Sequence, residues 1–376
     1  MCAYNKSDDI PRLRLKRGMS VYGNLVQIVW TCLYKGCYNG IRKMIHLIPE
    51  GANVMRRILR LVFVFTMLAA LYASACGQVK FDLQPDSIRV DTEHLCYEIG
   101  VRVTGTPEEV LTADWIESRL RSMGYSMEDG SLFRTGFKGM KEMTSENLGV
   151  VLNPDPALPL MTVVAHYDTV ATSTGARDNS ASVAILLEMA RFLADNGPIP
   201  GCELRLVFLG SEENGYHGAR AYARSLSEHD FNRHIAAFNM DISAASPSDN
   251  ASLVMNMVGG KNADGKYVEA DFLPAFENTV TRYVSMAHEE LLGTPPAAVF
   301  YFGQSDHVAF NDAGLEAANI CWRNISENTP MIPKSYHTME DTPEELDYST
   351  AVTTGRCILR AIEMIAADVE AGRIAY

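Results

Sequence analysis

The sequence has few cysteines in its main body and none in a metal-binding pattern. Of its eight cysteines, only Cys96, Cys202, Cys321 and Cys357 lie beyond Cys76, and none forms a C-x-x-C pair. This argues against a cysteine-ligated zinc site. The spacing leaves open whether these four are buried thiols or include a disulfide of an exported protein.

The chain also lacks an internal repeat, a low-complexity tract and a composition break that would mark a second domain. Apolar residues make up 47% of its 376 residues, which is ordinary for a globular protein and ample for a core. The simplest organisation is therefore one domain over residues 80–376.

Positive charge is scarce outside the N-terminal segment. Residues 1–75 hold 11 Lys/Arg and 3 Asp/Glu, a balance of +8, which leaves −21 for the remainder of a chain whose net charge is −13. The negative charge of the residues after 75 argues against nucleic acid as a partner, because phosphate backbones bind basic surfaces.

No apolar run near the N-terminus reaches the roughly 20 residues that a membrane span needs. Instead, a basic stretch from Met55 to Arg60 precedes a short apolar run from Leu61 to Leu71, and Ala73-Ser74-Ala75 stands directly before Cys76. This order predicts a secretory signal peptide or lipoprotein signal over residues 55–76.

A signal should begin a chain, and Met55 stands where a start residue would. Residues 1–54 are therefore interpreted as an upstream extension or a disordered tail. The predicted location is outside the cytoplasm: periplasmic, membrane-anchored as a lipoprotein, or secreted. Membrane contact is expected only through an N-terminal lipid or anchor.

Apolar runs alternate with helical patterns along the body of the chain, which predicts an α/β fold with a mostly parallel sheet covered on both faces. Strands are predicted at 147–152, 161–165, 204–209, 235–240, 253–258, 297–302 and 316–322, with a hairpin or strand within 125–145. Helices are predicted at 107–124, 179–195, 216–226, 273–292, 305–313 and 346–371.

Acidic residues follow the predicted strands at the points where the strands end. In open α/β sheets, ligands bind outside the carboxyl ends of the strands. One histidine with several carboxylates is the ligand set expected for zinc or a similar divalent ion. The residues expected on this rim are His166, Asp168, Asp178, Glu212, Glu213 and Asp241.

Two local patterns strengthen this interpretation. His166 and Asp168 share one side of an extended strand, so Asp168 can hold the His166 ring in one orientation. Glu212 and Glu213 are adjacent carboxylates that repel each other unless a cation lies between them. One can then bind metal while its neighbour takes a proton from water. Taken singly, such acids are commonly helix caps or members of an exposed acidic loop.

Six short motifs, in one order across roughly residues 90–370, together resemble the M28 family of zinc aminopeptidases. The resemblance implies a three-layer α/β/α fold around a central mixed, mostly parallel sheet. The motifs are His166-Tyr167-Asp168, Gly175-Ala176-Arg177-Asp178-Asn179, Ser211-Glu212-Glu213-Asn214, Asn239-Met240-Asp241, Ser305-Asp306-His307 and Tyr336-His337-Thr338.

The resemblance implies two zinc ions per chain, with Asp178 bridging them. His166 and Asp241 would complete the protein ligands of one ion, and Glu213 and His337 those of the other. Three protein ligands per ion leave an open position for water. Cobalt or manganese would suit the same oxygen and nitrogen donors.

The remaining roles that the resemblance implies concern proton transfer and support. Glu212 would be the general base, Asp168 would orient His166, and Tyr336 would steady the oxyanion. Ser305-Asp306-His307 would support the site without binding metal.

The expected function is that of a di-zinc aminopeptidase acting on peptides through a metal-activated water. Three alternatives remain open. They are a glutaminyl-cyclase-like acyltransferase, a carboxypeptidase or dipeptidase on the same scaffold, and a non-catalytic binding ectodomain. Cyclases of this type use one zinc and usually have Trp where Tyr336 stands, and Asn179 after Asp178 is more like a peptidase. Non-catalytic relatives lose metal ligands, whereas this sequence keeps all five ligands and the base that the resemblance implies.

Overall fold

A computed structural model describes residues 81–139, 143–257, 278–301, 303–326 and 329–375. The segments predicted at 1–54 and 55–76 lie outside these ranges, as do the first residues of the helix predicted from Leu273.

A mixed sheet forms the centre of the fold, in the order β1-β2-β4-β3-β5-β8-β6-β7, with β9 paired to β8. The four central strands β4, β3, β5 and β8 run parallel, and β6 and β7 are also parallel to each other. The pairs β1–β2, β2–β4, β6–β8 and β8–β9 are antiparallel. The strands are β1 Leu132–Lys138, β2 Thr144–Leu152, β3 Leu160–His166, β4 Glu203–Leu209, β5 His234–Met240, β6 Ser252–Met257, β7 Ala298–Tyr301, β8 Ala317–Ser326 and β9 Thr329–Met331.

Helices cover both faces of the sheet. They are α1 Pro85–Glu93, α2 Pro107–Ser122, α3 Ala181–Asn196, α4 His217–Ser225, α5 Glu228–Asn232, α6 Thr279–Leu292, α7 His307–Ala313 and α8 Tyr348–Glu370. A π-helical turn stands at His94–Ile99, an irregular turn at Ala176–Ser180, and short 3₁₀ turns at Pro247–Asp249 and Pro343–Glu345.

Alternation along the buried strands sorts their side chains into two cores. In β3, Val163 and Ala165 belong to the larger core, which α1, α2, α3, α6 and α8 share. Val164, between them, belongs to a second core with residues of α4 and α7. Successive residues of a strand point to opposite faces, so a continuous apolar run fills both cores. The predicted three-layer α/β/α fold with a mixed sheet is confirmed.

Several predicted boundaries were wrong for local reasons. The helix expected from Asn179 begins at Ala181, because Asp178 and Asn179 have non-helical backbone angles. In the described ranges, the helix expected from Leu273 begins at Thr279, where Asn278 and Thr281 form a capping box. The strand expected from Asn147 begins at Thr144 because it pairs with β1 as a hairpin.

Candidate metal centre

The parallel strands deliver their terminal residues to one rim of the sheet. His166 is the last residue of β3, Glu212 and Glu213 follow β4 by a few residues, and Asp241 directly follows β5. Neighbouring parallel strands end at the same edge, so the three segments meet there. Asp178 comes from the turn that leads into α3, and His337 from the connection between β9 and α8.

His166, Asp178 and Asp241 form a group that we call the His166 cluster. Nε2 of His166 lies 3.2 Å from Oδ1 of Asp178 and 3.8 Å from Oδ1 of Asp241. All three side chains have ligand atoms within 4.8 Å of one another, which allows one ion to contact them together.

Asp178, Glu213 and His337 form a second group, the His337 cluster. Nε2 of His337 lies 3.2 Å from Oδ2 of Asp178 and 3.3 Å from Oε2 of Glu213. Asp178 therefore points one carboxylate oxygen at each cluster. A carboxylate placed in this way can contact both clusters at once.

The two clusters fit metal ions better than they fit hydrogen bonds. Four of their buried atoms have no hydrogen-bond partner among the described residues: His166 Nε2, Asp241 Oδ1, Glu213 Oε1 and His337 Nε2. Ligands at about 2.0–2.2 Å from a tetrahedral zinc ion are separated from each other by about 3.3–3.6 Å. The observed separations match this spacing closely, apart from the slightly longer one to Asp241.

Asp168 connects both clusters through its carboxylate. Its Oδ1 lies 3.5 Å from Nδ1 of His166 and accepts a 2.9 Å hydrogen bond from the backbone of Glu212. Its Oδ2 accepts hydrogen bonds from the backbone of Glu213 at 3.2 Å and from the Thr104 hydroxyl at 3.0 Å. One carboxylate thus positions a residue of each cluster and the candidate base.

Burial makes the carboxyl groups of Glu212 and Glu213 hold their protons more tightly. It raises the pKa of Glu212 well above its usual range, and the nearby Asp306 and Asp241 raise it further, while His166 opposes them. Burial also raises the pKa of Glu213 to about 7, while the nearby His337 opposes this rise. Bound cations would lower both pKa values, because positive charge favours the carboxylate form.

Tyr336 and the Ser305-Asp306-His307 segment flank the clusters. The Tyr336 ring stacks on that of His337 with ring centroids 3.7 Å apart, and Tyr336 lines the cavity above both clusters. Asp306 is fully buried, and burial together with nearby carboxylates raises its pKa to about 8. Neither Asp306 nor His307 belongs to a metal-competent cluster among the described residues.

Residues in the left-handed backbone region concentrate around the rim. Each non-glycine residue there costs on the order of 1–3 kcal/mol, and such strain is typical of functional sites. Of seven such residues in the described ranges, five border the clusters: Ser211, Tyr216, Ile242, Ser305 and His337.

Asp341 stabilises the turn that contains Asp178, although the two residues are far apart in the sequence. This role was not predicted from the sequence. Its carboxylate accepts backbone hydrogen bonds from Arg177 at 2.8 Å and from Asp178 at 3.2 Å. Across the same junction, the Thr172 hydroxyl donates to the His337 carbonyl at 2.8 Å. The segments that carry Asp178 and His337 are therefore joined by hydrogen bonds. The only sequence signal is that Asp341 lies four residues after His337.

Arg102 is a second missed residue, and no sequence pattern marks it. Its fully buried guanidinium donates to the carbonyl oxygens of Tyr167 and Thr174 and to the Ser180 hydroxyl. These acceptors border the His166 strand end and the Asp178 turn, so Arg102 fixes both. Gly175 opens that turn with φ +65°, and a Cβ there would lie 2.4 Å from the Asp178 carbonyl oxygen.

The strand ends of this α/β/α fold bring together two metal-competent acid–histidine clusters that share the Asp178 carboxylate, as expected of a metal-dependent enzyme. The chain belongs to peptidase family M28, whose model matches residues 147–362. The membership predicted from the motifs is confirmed.

Two curated relatives are similar in sequence to this chain over part of their own length. The chain is 30% identical over 232 residues to Aminopeptidase YwaD of Bacillus subtilis, which covers 60% of this chain and 46% of that protein. It is 27% identical over 220 residues to the Probable lipoprotein aminopeptidase LpqL of Mycobacterium tuberculosis, covering 54% and 42%. The chain thus spans less than half the length of these relatives.

Solved structures share the fold. BSAP, a zinc aminopeptidase from Bacillus subtilis, superimposes with a TM-score of 0.64 and 19% identity, over 76% of this chain and 96% of that one. A glutaminyl cyclase from Bacteroides thetaiotaomicron superimposes with a TM-score of 0.58 and 18% identity, over 75% and 98%. At these identities the likeness concerns the fold alone.

Replacing Asp341 with alanine is expected to weaken zinc binding by about tenfold or more, because the residues that orient ligands commonly contribute this much. Competition against chelators of graded affinity measures it. Glu340→Ala is the matched control, since the neighbouring Glu340 side chain is exposed. Equal zinc affinity in the two variants, with both folded by circular dichroism, would contradict the positioning role.

Proposed function

We propose that this chain is a two-zinc aminopeptidase that removes N-terminal residues from peptides. The observation that carries the proposal is the placement of Asp178, whose two oxygens each lie 3.2 Å from a different histidine. Membership of family M28 and the aminopeptidase names of the relatives support the same activity.

In this proposal the two clusters hold one ion each. His166, Asp178 and Asp241 would hold the first ion, and Asp178, Glu213 and His337 would hold the second. When bound, such cations would supply Lewis acidity toward a peptide carbonyl and would lower the pKa of a bound water.

Glu212 is proposed to move the proton. It lines the cavity beside both clusters and contributes no atom to either. Its carboxylate accepts a proton from the attacking water and returns it to the leaving amine. Asp168 keeps Glu212 in place through the backbone hydrogen bond described above.

Tyr336 is proposed to stabilise the oxygen of the scissile carbonyl as negative charge develops on it. The Tyr336 ring is held against His337, at the wall of the cavity that a substrate would enter. A hydroxyl in such a position donates to the oxyanion without reorganising during the reaction.

The Asp178→Asn variant is expected to lose bound zinc, since an amide cannot bridge two cations as a carboxylate does. Metal analysis after dialysis measures the zinc content per chain. Asp86→Asn serves as the control, because the Asp86 side chain is 91% exposed on α1. Unchanged zinc content and turnover in Asp178→Asn would contradict the bridging role.

The Glu212→Gln variant is expected to keep its zinc and to lose turnover by about 10²–10⁴-fold, the usual contribution of a general base. Glu213→Gln, one residue on, should instead lose zinc. The assay uses aminoacyl anilides together with glutaminyl-peptide and dipeptide substrates. Cyclisation or cleavage confined to dipeptides would replace the proposed activity with an alternative one, and zinc binding without any turnover would favour a binding role.

An exported, membrane-anchored location is also proposed, on the order of residues from Met55 to Cys76. LpqL, a relative, is named a probable lipoprotein aminopeptidase. Within the described ranges, no helix combines the length and the apolarity needed to cross a membrane.

The protein purified from the membrane fraction of an expressing bacterium is expected to begin at Cys76 and to carry a lipid there. Mass spectrometry of the N-terminal peptide measures both. A Cys76→Ala variant should remain unlipidated. A mature protein that retains Met1 would exclude cleavage and show that residues 1–54 are translated.

A further inference from the structure

Tyr216 is a large aromatic residue held in a backbone conformation that favours glycine. Its φ of 60° and ψ of 34° lie in the left-handed region, directly before α4. A tight turn after Glu212 accompanies this conformation, because the Tyr216 amide donates a 2.9 Å hydrogen bond to the Glu212 carbonyl oxygen. Glycine or asparagine would adopt the same angles at lower cost, so a tyrosine there points to a use for its side chain.

The side chain of Tyr216 is held by contacts that differ from those of Tyr336. Tyr216 packs against the second core, which contains residues of α4 and α7. Tyr336 packs against a separate cluster formed by Ile242, Val254 and Cys321. Both tyrosines line the cavity above the two metal clusters, whose volume is about 310 Å³. Two separate parts of the core thus each hold one phenol at the same cavity.

The hydroxyl end of Tyr216 lies among the acidic groups of the rim. Burial raises the pKa of this hydroxyl, and Glu212, Asp306 and Asp241 raise it further, while the nearby backbone of Ser305 opposes the rise. The ring therefore packs on apolar residues while the hydroxyl faces polar ones. Packing alone requires only the ring, so the hydroxyl needs another explanation.

A peptide in this cavity would need hydrogen-bond donors. A volume of about 310 Å³ is at the lower end for ligand pockets, enough for one or two residues next to the scissile bond. Each carbonyl oxygen that enters loses water, and leaving it without a donor is costly. The four carboxylates that line the cavity accept hydrogen bonds and, when ionised, donate none. A phenol, by contrast, has a proton to donate.

We propose that the Tyr216 hydroxyl donates a hydrogen bond to a carbonyl oxygen of the bound peptide. This inference rests on the proposed peptidase function and adds a second substrate-binding tyrosine to it. The size of the cavity allows two acceptors: the scissile carbonyl and the carbonyl that follows it in the peptide. An aminoacyl anilide has only the first of these, whereas a tripeptide amide has both.

Tyr216→Phe removes the hydroxyl and keeps the ring, so it separates hydrogen bonding from packing. On the zinc-loaded protein, kcat/KM for Ala-Ala-Ala-amide should fall about tenfold, as expected when a carbonyl loses its donor. Zinc content and melting temperature should stay at wild-type values. Alanine 4-nitroanilide should slow equally if the hydroxyl binds the scissile carbonyl, and should keep its rate if the hydroxyl binds the following one.

Tyr222→Phe is the matched control, because it removes a hydroxyl from the same helix and the same core. Tyr222 is 5% exposed, and its hydroxyl lies 3.4 Å from the Thr162 hydroxyl inside the protein. This variant should keep the wild-type kcat/KM for both substrates. Tyr216→Asn is a second test variant, since asparagine tolerates the left-handed conformation and removes the phenol. It should lose at least as much kcat/KM per bound zinc as Tyr216→Phe.

Three outcomes would overturn the proposal. They are an unchanged kcat/KM for the tripeptide in Tyr216→Phe, an equal loss in Tyr222→Phe, or a shifted acidic limb in the pH profile of kcat/KM, which would show that the hydroxyl acts on Glu212 instead. If Tyr216→Phe does not fold, kcat/KM per bound zinc in Tyr216→Asn decides.

If the loaded wild type cleaves no peptide, the peptidase function fails separately. Calorimetry with Ala-Ala-Ala-amide then tests Tyr216 alone, because the peptide stays intact. It should bind Tyr216→Phe about tenfold more weakly than it binds the wild type or Tyr222→Phe. Equal affinities, or no binding to the wild type, would overturn the role of Tyr216.

Discussion

The carboxylate of Asp178, placed between two histidine rings at 3.2 Å from each, is the constraint on which the rest of the site depends. Only a turn of defined shape can present both oxygens in opposite directions. Gly175 gives that turn its left-handed start, and Asp341 binds two of its backbone amides. The ends of parallel strands then bring His166, Glu213 and Asp241 to the same point, and His337 reaches it from the connection between β9 and α8.

The same arrangement buries several acidic side chains close together, which is unfavourable in the absence of bound cations. Burial of carboxylates is costly unless a positive charge or a proton compensates it. The pKa values of Glu212, Glu213 and Asp306 are raised because burial disfavours the charged form of each side chain. Metal binding to such a rim relieves repulsion that folding has created, so metal affinity and the stability of the fold are linked.

The pattern of apolar residues was enough to predict the strand-end part of the site. It located the buried strands and so predicted that the residues at their ends lie on one rim of the sheet, namely His166, Glu212, Glu213 and Asp241. The role of His337 came only from resemblance, since no periodic pattern surrounds it. Asp341 could not be predicted, because its hydrogen bonds join residues 163 and 164 positions apart. Helix starts were misjudged where Asp178 and Asn179 depart from helical angles.

Asp168 touches His166 and holds the backbones of Glu212 and Glu213 with one side chain. A change at this residue would therefore disturb His166, Glu212 and Glu213 in a single step. New substrate preferences in this lineage are then expected to arise on the cavity wall, where side chains can vary one at a time.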